Sequence, residues 1–437
     1  MSSARARLGL LAGVALVAAA MVVPPLTGWQ VRARSDAAGG ISVPPLHGTF
    51  SPEWFGPGTI PALVLALLAV RYASGMAARL PWWGLLAASY AVGLAWLLSL
   101  AHVRGTNGVA HVLAHPYDYL TTAGAVTDVG GLLQEYVARI DADHPQNWTV
   151  HVAGHPPLAL LFFVGLVRLG LESYGAGIVV AAVAASTALA VLTTLRVLGA
   201  EEPARRAAPF LVLGPSGLFM AVSADALFAA VGGWGLAALA VAGTRTAHRA
   251  AILWSVVAGL LLGAAVMLSY GLLLLGPLAL AVLAVARSWR PMPIAAGAAA
   301  VVILGFAAAG FAWWEGLVAL QERYWRGLAS DRPGGYWTWA NLAALTICAG
   351  PALGAGLAQL RRGVDRAVLW LSGAAVAAVL VASLSQMSRA EVERIWLPFV
   401  PWLLVSTALL PPRWRTPMLA LQLVVAVVLE HLLYLTW

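Results

Sequence analysis

The sequence predicts an all-α, polytopic transmembrane helical bundle with about 12 to 14 hydrophobic segments. Hydrophobic residues make up 61% of the 437 residues and charged residues only 10%, with a mean hydropathy of +0.83. A soluble globule of that composition would expose a very large apolar surface. Apolar runs of about twenty residues recur, which is the length that a helix needs to cross a hydrocarbon core of about 30 Å. A membrane β-barrel would instead show shorter segments of alternating polarity.

The formal net charge is +8, and the sequence contains no lysine, so every basic side chain other than histidine is an arginine. The arginines are spread over the ends of the hydrophobic segments, which disfavours nucleic acid as a partner. Their pattern is typical of the positive-inside rule and of contact with membrane lipids that carry anionic headgroups. The single cysteine, Cys348, excludes an intramolecular disulfide. The Ala/Arg-rich composition indicates a high-GC bacterial source, and hence a multi-pass protein of the plasma membrane, the bacterial inner membrane.

The chain divides into three predicted regions: N-terminal spans in 1–81, a transmembrane core in 82–410 and a last span in 411–437. Two arginines precede an apolar run at about residues 8–23, which resembles a signal peptide. The two prolines after that run make a poor cleavage site. We therefore predict a first span with a cytoplasmic N-terminus. A second span near residues 60–72 and a third near 82–103 then put the following loop on the outer face.

That first large loop, residues 104–157, is the candidate active-site loop. Six of the nine histidines lie between His102 and His155, together with several carboxylates. Such side chains are accommodated at a membrane surface far more easily than within it, so their density at one entry point indicates a functional site. Apolar residues recur at helical spacing over 132–140, which predicts a juxtamembrane helix along the interface. The loop ends in His155-Pro156-Pro157 (the HPP element), whose prolines suit a helix start.

The arginines indicate how the later spans alternate. If the apolar run after the HPP element does not cross the membrane, the arginines of the later loops fall on the inner side; a full crossing would invert every later loop. The non-crossing arrangement also puts the polar clusters 104–157, 223–225 and 386–394 on one outer face. Further spans are predicted near 177–198, 207–222, 225–242, 251–268, 272–286, 294–313, 338–360, 367–384, 395–410 and 418–435, with a second outer loop at 314–336.

Two late polar segments complete the predicted site, at 322–333 and 388–396. Glutamates and arginines just before an apolar run are typical of a solvated helix cap with local ion pairs. At a membrane entrance, however, the planar fork of arginine also matches the phosphate oxygens of an anionic lipid. Both interpretations stay open at this point.

In order of features, the chain resembles the GT-C superfamily of membrane glycosyltransferases. The resemblance rests on the polar first loop with its amphipathic helix, the HPPL element, the Ser223-x-Asp225-x-Leu227 junction between two spans, and the late loop with Glu and Arg. That superfamily includes protein O-mannosyltransferases, aminoarabinose transferases and the mannosyl- and arabinosyltransferases of actinobacterial envelopes. The resemblance runs from about Trp82 to Leu410. It implies transfer of a sugar from a polyprenyl-phosphate donor to a glycan, lipid or protein acceptor on the outer face.

The resemblance also implies an acid early in the first loop, as a catalytic base or a metal contact. Such enzymes usually have a pair of acids there, whereas Asp118 stands alone between two tyrosines and Asp128 follows later. Both are candidate catalytic residues, and Asp118 is preferred because it lies nearer the third span. The transfer needs one base and cations that stabilise the departing phosphate. The candidate donor-phosphate and substrate ligands are His151, His155, Tyr119, Asp225, Tyr324, Arg332, Arg389, Glu391, Glu393 and Arg394.

Plainer roles compete with some of these assignments. His155 also suits a helix cap or hinge, and Asp225 suits the N-cap of its span. The histidine pairs 111/115 and 151/155 leave room for a divalent cation, but a proline after each pair interrupts the helix, and no metal site or other cofactor is predicted. A lipid or glycolipid transporter or flippase is the alternative function. Transporters generally place their sites near the bilayer midplane, whereas here the polar residues lie at one face.

Overall fold

The computed structural model describes residues 2–34 and 40–435. It is 76% helical, which confirms the predicted all-α class. Within the described residues, nine helices are long and apolar enough to cross a membrane. At 1.5 Å per residue, helices of this length match a hydrocarbon core of about 30 Å. The protein is therefore a multi-pass membrane protein.

The elements follow one another in short connections. The first part of the chain forms α1 (Ser3–Thr27), β1 (Ile41–Ser42), β2 (Gly48–Phe50), α2 (Thr59–Arg79), α3 (Trp82–Ala101), α4 (Asn107–Ala114), α5 (Tyr119–Gly124), α6 (Val129–Glu135), α7 (Val150–Ala153), α8 (Pro157–Arg168) and α9 (Ser173–Val197). The middle part forms α10 (Glu201–Val212), α11 (Ser216–Met220), α12 (Ala224–Thr244), α13 (His248–Leu268), α14 (Gly276–Ala286), α15 (Pro291–Ala308), α16 (Trp313–Arg326) and α17 (Leu328–Asp331). The last part forms α18 (Gly334–Ala349), α19 (Ala352–Leu357), α20 (Arg366–Leu384), α21 (Val392–Ile395), α22 (Val400–Leu404), α23 (Pro412–Leu432) and β3 (Leu433–Leu435). Short 3-10 helices cover His102–Arg104, Ala138–Ile140, Tyr270–Leu275, Leu397–Phe399 and Val405–Leu409.

One end of the bundle, which we call the arginine-rich end, gathers the predicted inner loops. Arg205 donates hydrogen bonds to the carbonyls of Ala77 and Leu80, at 2.9 and 2.8 Å, and so ties the start of α10 to the end of α2. Arg413, at the start of α23, donates to Ser3 Oγ at 2.7 Å. The contacts place the start of α1 and the turn between α2 and α3 at this same end.

The opposite end, the site end, carries the three polar clusters. His102 Nε2 lies 3.1 Å from the hydroxyl of Tyr174, so the end of α3 and the start of α9 meet there. Arg323 donates to the carbonyls of Ile140 and Trp148, which joins α16 to the first polar loop. Helix α8 starts at this end, directly after the first polar loop, and the chain is at the same end again at Tyr174, at the start of α9. Helix α8 therefore does not cross the bundle. This placement agrees with the non-crossing arrangement that the arginines favoured.

A strap of residues 29–34 and 40–58 and a small sheet cover part of the site end. Strands β1, β2 and β3 form an antiparallel sheet in the order β1-β2-β3, with Ile41 paired to Phe50 and Gly48 paired to Leu435. Arg104 donates to the carbonyl of Ser51 at 2.6 Å and thus anchors the strap to the end of α3. The segments before α2 and after α23, which are remote in sequence, therefore pack together over one face.

Several predicted spans are broken rather than continuous, because proline and glycine interrupt them. The span predicted near 207–222 breaks at Gly214-Pro215, and the span predicted near 338–360 breaks at Gly350-Pro351. The second break is satisfied by Gln422 of α23, whose side chain accepts from Ala352 N at 3.2 Å and donates to Ala349 O at 2.9 Å. A buried side-chain amide thus replaces helix hydrogen bonds where water has no access.

Two loop predictions need correction. The second outer loop, 314–336, is mostly helical, because α16 is an amphipathic helix with exposed Trp314, Val318 and Trp325, as suits an interfacial helix. The juxtamembrane helix predicted over 132–140 is shorter than its periodicity suggested: α6 ends at Glu135 and a 3-10 turn follows. The first two spans pack on the core; Gly9 of α1 lies so close to Gly354 that a Cβ at Gly9 would overlap its carbonyl oxygen.

We expect single cysteines placed at Thr122 and Ser388 to react with a membrane-impermeant maleimide in intact cells. A cysteine at Thr246, between α12 and α13 at the arginine-rich end, should react only after permeabilisation, because the positive-inside rule puts that end in the cytoplasm. Cys348 is buried and gives little background. Labelling of Thr122→Cys and Ser388→Cys from opposite sides would contradict the shared face, and the reverse pattern at all three positions would invert the orientation.

Candidate functional site

Asp118 and His151 form a hydrogen-bonded pair at the site end. Helix α4 ends before His115-Pro116, and Asp118 then caps α5, accepting from Tyr119 N at 2.8 Å through Oδ1. Its other oxygen, Oδ2, lies 3.2 Å from His151 Nδ1. Because an ionised carboxylate can only accept, Nδ1 carries the proton and donates it. Asp118 is only 3% exposed, whereas the His151 side chain remains partly accessible.

Tyr119 and His155 form a second hydrogen-bonded unit directly beside this pair. His155 Nδ1 lies 2.8 Å from both the Tyr119 hydroxyl and the carbonyl of His151. The Tyr119 ring stacks on Phe163 of α8 with centroids 4.8 Å apart, so the HPP element fixes the position of this unit. Burial lowers the pKa of His155 and raises that of Tyr119 well above its ordinary value. Both groups are therefore neutral near pH 7 and position their neighbours.

Asp225 and Arg394 form a buried ion pair. Asp225 Oδ2 lies 3.0 Å from Arg394 Nε, and the two residues are 4% and 5% exposed. Burial alone would lower the pKa of Arg394, but Asp225 and then Asp118 raise it, so the guanidinium keeps its charge and lies within electrostatic reach of the first pair. The N-cap of α12 is Ser223, which accepts from Ala226 N, and Asp225 is therefore free of the capping role considered for it.

Glu391 and Glu393 bind the strap to the late loop. Glu391 Oε1 lies 2.9 Å from Arg332 and 3.3 Å from His47 Nδ1, and Glu393 Oε1 accepts from the backbone N–H of His47 at 2.7 Å. Burial acts to raise the pKa of Glu391, yet His47 and Arg332 hold it well below its usual range. Burial raises the pKa of Glu393. The backbone φ of Ala390 and Glu391 is positive, a conformation that these contacts must maintain.

Arg389 and Tyr324 lie next to this network and form hydrogen bonds with main-chain groups. The backbone N–H of Arg389 donates to the Tyr324 hydroxyl at 2.8 Å. The Arg389 guanidinium lies over the ring of Trp325 at 4.7 Å and donates to the carbonyl of Arg332 at 2.7 Å. Arg332 donates in return to the carbonyl of Arg389. The two arginines therefore fasten the late loop, whereas Arg394 interacts electrostatically with Asp118.

Asp128 is separate from the other acids. It caps α6 by accepting from Gly130 N at 2.9 Å, it is exposed, and it lines a different cavity of about 310 Å³ with Glu135 and Arg139. The structure thus brings together Asp118, Tyr119, His151, His155, Asp225 and Arg394. It does not bring Asp128 to that group.

A larger cavity of about 550 Å³, which the sequence did not indicate, lies at the same end. Among its lining residues are Glu53, Arg104, Asn107, His111 and Glu430. A lone acid in the last apolar segment was the available signal for Glu430, because carboxylates within spans are rare and usually functional. Glu53 and Asn107 carry no such signal, since polar residues are ordinary in loops.

No group of three or more His, Cys, Asp or Glu side chains within residues 2–34 and 40–435 is arranged to hold a metal ion. The rings of His111 and His115 lie 5.8 Å apart, edge to face. The histidine pair His151 and His155 is occupied by the hydrogen bonds given above. The divalent cation that the sequence allowed therefore has no candidate ligand set among the described residues.

Comparison of the chain with protein-family models, with curated proteins and with solved structures finds no match. The GT-C resemblance consequently stays a prediction from the order of sequence features. The chemistry of the site has to be argued from its own geometry.

We expect Asp225→Asn to lower the free energy of unfolding by about 3 to 5 kcal/mol, because it leaves the Arg394 charge buried without its partner. Thermal unfolding in one detergent measures the effect. The matched control is Glu202→Gln, which breaks a pair with Arg206 whose Glu202 side chain is 72% exposed and should change little. The double variant Asp225→Leu with Arg394→Met should recover most of the loss. Equal effects of Asp225→Asn and Glu202→Gln would show that the pair does not hold α12 to the late loop.

A second expectation concerns pH. Because burial lowers the pKa of His155, the folded chain keeps the imidazole neutral, while the unfolded chain takes up a proton below about pH 6.5. The contribution of neutral, buried His155 to the free energy of unfolding is therefore fully present above that pH, and it is lost as the pH falls towards the pKa of His155 in the folded chain. In His155→Asn the amide can replace Nδ1 but cannot titrate. We expect the melting temperature of the wild type to fall more than that of His155→Asn between about pH 7.5 and 5.5; equal falls would refute the coupling.

Proposed function

We propose that the protein is a membrane glycosyltransferase that moves a sugar from a polyprenyl-phosphate donor to an acceptor hydroxyl on the outer face of the plasma membrane. The observation that carries this proposal is the Asp118–His151 pair beside the buried Arg394–Asp225 pair, at one end of an otherwise apolar bundle. A proton acceptor and a persistent cation are the two groups that such a transfer requires. The resemblance in the order of sequence features supports the same activity.

His151 is the group we assign as the general base. Asp118 uses both carboxylate oxygens inside the protein, on Tyr119 N and on His151 Nδ1. The proton on Nδ1 leaves the lone pair on Nε2, and the buried carboxylate stabilises the imidazolium that forms. The Asp118–His151 pair then works as a unit, with Asp118 as the positioning residue. This division of roles differs from direct proton transfer to Asp118, which the sequence pattern favoured.

The reaction is a single displacement at the anomeric carbon. His151 Nε2 takes the proton of the acceptor hydroxyl as its oxygen forms the new bond to that carbon. The bond between the carbon and the phosphate oxygen breaks, and the polyprenyl phosphate leaves with the electron pair. Charge developing on the phosphate is stabilised by the guanidinium of Arg394, which keeps its positive charge beside Asp225. The imidazolium returns its proton to solvent, since His151 is partly accessible.

The asymmetry of the bundle supports both the proposed orientation and the proposed substrate class. Arginine-rich loops lie at the end opposite the site, which supports a site on the outer face. Polyprenyl-phosphate sugars are amphipathic, so a site where polar loops meet apolar helices suits them. The partners we propose are the lipid-linked donor, the surrounding membrane lipids and a hydroxyl-bearing acceptor.

We expect His151→Ala and Asp118→Asn each to lower sugar transfer by about 100-fold or more, the usual weight of general acid–base catalysis. The measurement is release of polyprenyl phosphate from a panel of polyprenyl-phosphate sugars in vesicles. Asn at position 118 can still accept from Tyr119 N and keep the cap, so the melting temperature serves as a control for folding. Asp128→Asn, in the separate cavity, is the matched control and should stay near wild type.

Three outcomes would change the assignment. Loss of transfer in Asp128→Asn but not in Asp118→Asn would move the base to the loop before α6. Near-normal transfer in both would remove the general-base role from this end of the loop. A wild-type protein that flips a labelled polyprenyl-phosphate sugar across vesicles without cleaving it would favour the transporter instead.

A further inference from the structure

The cavity of about 550 Å³ lies at the site end, and neither residue of the Asp118–His151 pair lines it. Its walls come from the strap at 53–57, from the end of α3 with α4, from residues 218–222 around the end of α11, and from 430–435. The volume falls within the range typical of pockets for small molecules. Because the strap and the end of α23 both contribute, this cavity depends on the two terminal regions of the chain.

Four polar side chains of the cavity wall make no hydrogen bond to another described residue: Glu53 and Glu430, which are half-buried, and Asn107 and His111, which are exposed. In folded proteins most buried or half-buried polar groups are paired. Several unpaired polar groups that converge on one cavity are characteristic of a binding site. The aromatic rings of Phe55 and Tyr434 complete the wall.

The charges of the cavity disfavour an anionic ligand. The carboxylate of Glu53 would repel a phosphate group. The one arginine, Arg104, already donates to the carbonyls of Ser51 and Leu433, at 2.6 and 3.2 Å, and lies over the ring of Tyr434. Carboxylate, amide and imidazole groups together instead provide acceptors and donors for hydroxyl groups, and aromatic rings provide flat apolar surface for the other faces of such a ligand.

Two walls of the cavity are continuous in the chain with the segments that carry the two pairs. Helix α4 carries His111 in the cavity wall and ends just before His115, whose ring lies 5.8 Å from that of His111; Asp118 follows three residues later. On the other side, the wall ends at Val222, and Asp225 lies in the first turn of the helix that follows. Two of the cavity walls therefore continue directly into the Asp118–His151 and Asp225–Arg394 pairs.

We propose that this cavity binds an uncharged, polyhydroxylated acceptor and presents one of its hydroxyls to the Asp118–His151 pair. The acceptor is a free glycan or the sugar head group of a glycolipid, rather than a phosphate-bearing molecule. The delivery of a hydroxyl rests on the proposed function, whereas the binding of the sugar does not. Trp54 and Phe55, which are 77% and 66% exposed, stand at the strap beside the cavity, as aromatic residues do at a membrane interface.

Protection of a reporter cysteine tests the binding. Val112→Cys lies in the wall, and Cys348 is buried, so the rate at which a small thiol reagent labels the protein in lipid nanodiscs reports on the cavity. The probes are maltose, dodecyl maltoside and inorganic phosphate. At about three times its Kd a sugar should slow labelling about fourfold, since labelling of the free form falls by 1 + [L]/Kd. Thr122→Cys, which lines the separate cavity with Asp128, is the matched control and should be unaffected.

The role of Glu53 in the cavity wall is tested in the same assay. Glu53→Ala, made in the Val112→Cys background, should raise the Kd of maltose about tenfold, because it removes a charge-assisted hydrogen bond from a partly exposed position. Glu135→Ala, on the separate cavity, is its control. Protection by both sugars supports a site for which free glycan suffices, and protection by dodecyl maltoside alone supports a glycolipid head group.

Two results overturn the proposal: protection by inorganic phosphate instead of the sugars, which would make the cavity an anion site, and no protection by any probe. The result separates this proposal from the proposed function. Sugar protection in a protein that transfers no sugar keeps the cavity assignment and removes the transferase. Sugar transfer without sugar protection keeps the transferase and removes the cavity assignment.

Discussion

Charge pairing at the edge of a hydrocarbon layer is the constraint on which the site end depends. Asp225 belongs to α12, whose remaining turns are almost entirely apolar, and Arg394 belongs to a loop about 170 residues later in the sequence, a separation that only tertiary folding can close. Neither charge tolerates burial alone, because an isolated buried charge costs several kcal/mol. The ion pair at 3.0 Å therefore fixes where the late loop lies against the bundle. It also sets a permanent positive charge near Asp118.

The same requirement explains the strap over the site end. The late loop carries two further acids, Glu391 and Glu393. These acids need partners because the ion pair of Arg394 with Asp225 holds the loop against the bundle. His47 meets both of them, through its ring and its backbone N–H. Arg332 supplies the remaining charge and reaches back to the carbonyl of Arg32 at 3.0 Å. The site is consequently assembled from five segments that are remote in sequence, namely the strap, the first polar loop, the start of α12 and the two late polar segments, and none of them can form it alone.

The sequence predicts the helical class and most spans because length and hydropathy dominate in a membrane, and it gathers the polar clusters correctly at one end. It does not distinguish Asp118 from Asp128. Both are helix N-caps with the same local chemistry, and only tertiary packing buries one against His151 and leaves the other exposed. Strands of two and three residues are too short to give a period. Breaks such as Gly350-Pro351 are invisible in hydropathy, because the buried Gln422 that satisfies them lies far away in sequence.

Burial decides which member of the Asp118–His151 pair is accessible from outside the fold. Asp118 is covered, and both of its oxygens are engaged, so a substrate hydroxyl would have to displace Tyr119 N–H or His151 to reach it. The imidazole projects from the covered carboxylate to a partly accessible position, and its orientation is fixed because Nδ1 is held by an acceptor-only group. The neutral Tyr119–His155 unit adds no competing charge beside it. In the proposed transfer, a proton taken from the acceptor can therefore pass through His151 to solvent, while the buried Arg394 keeps its charge for the departing phosphate.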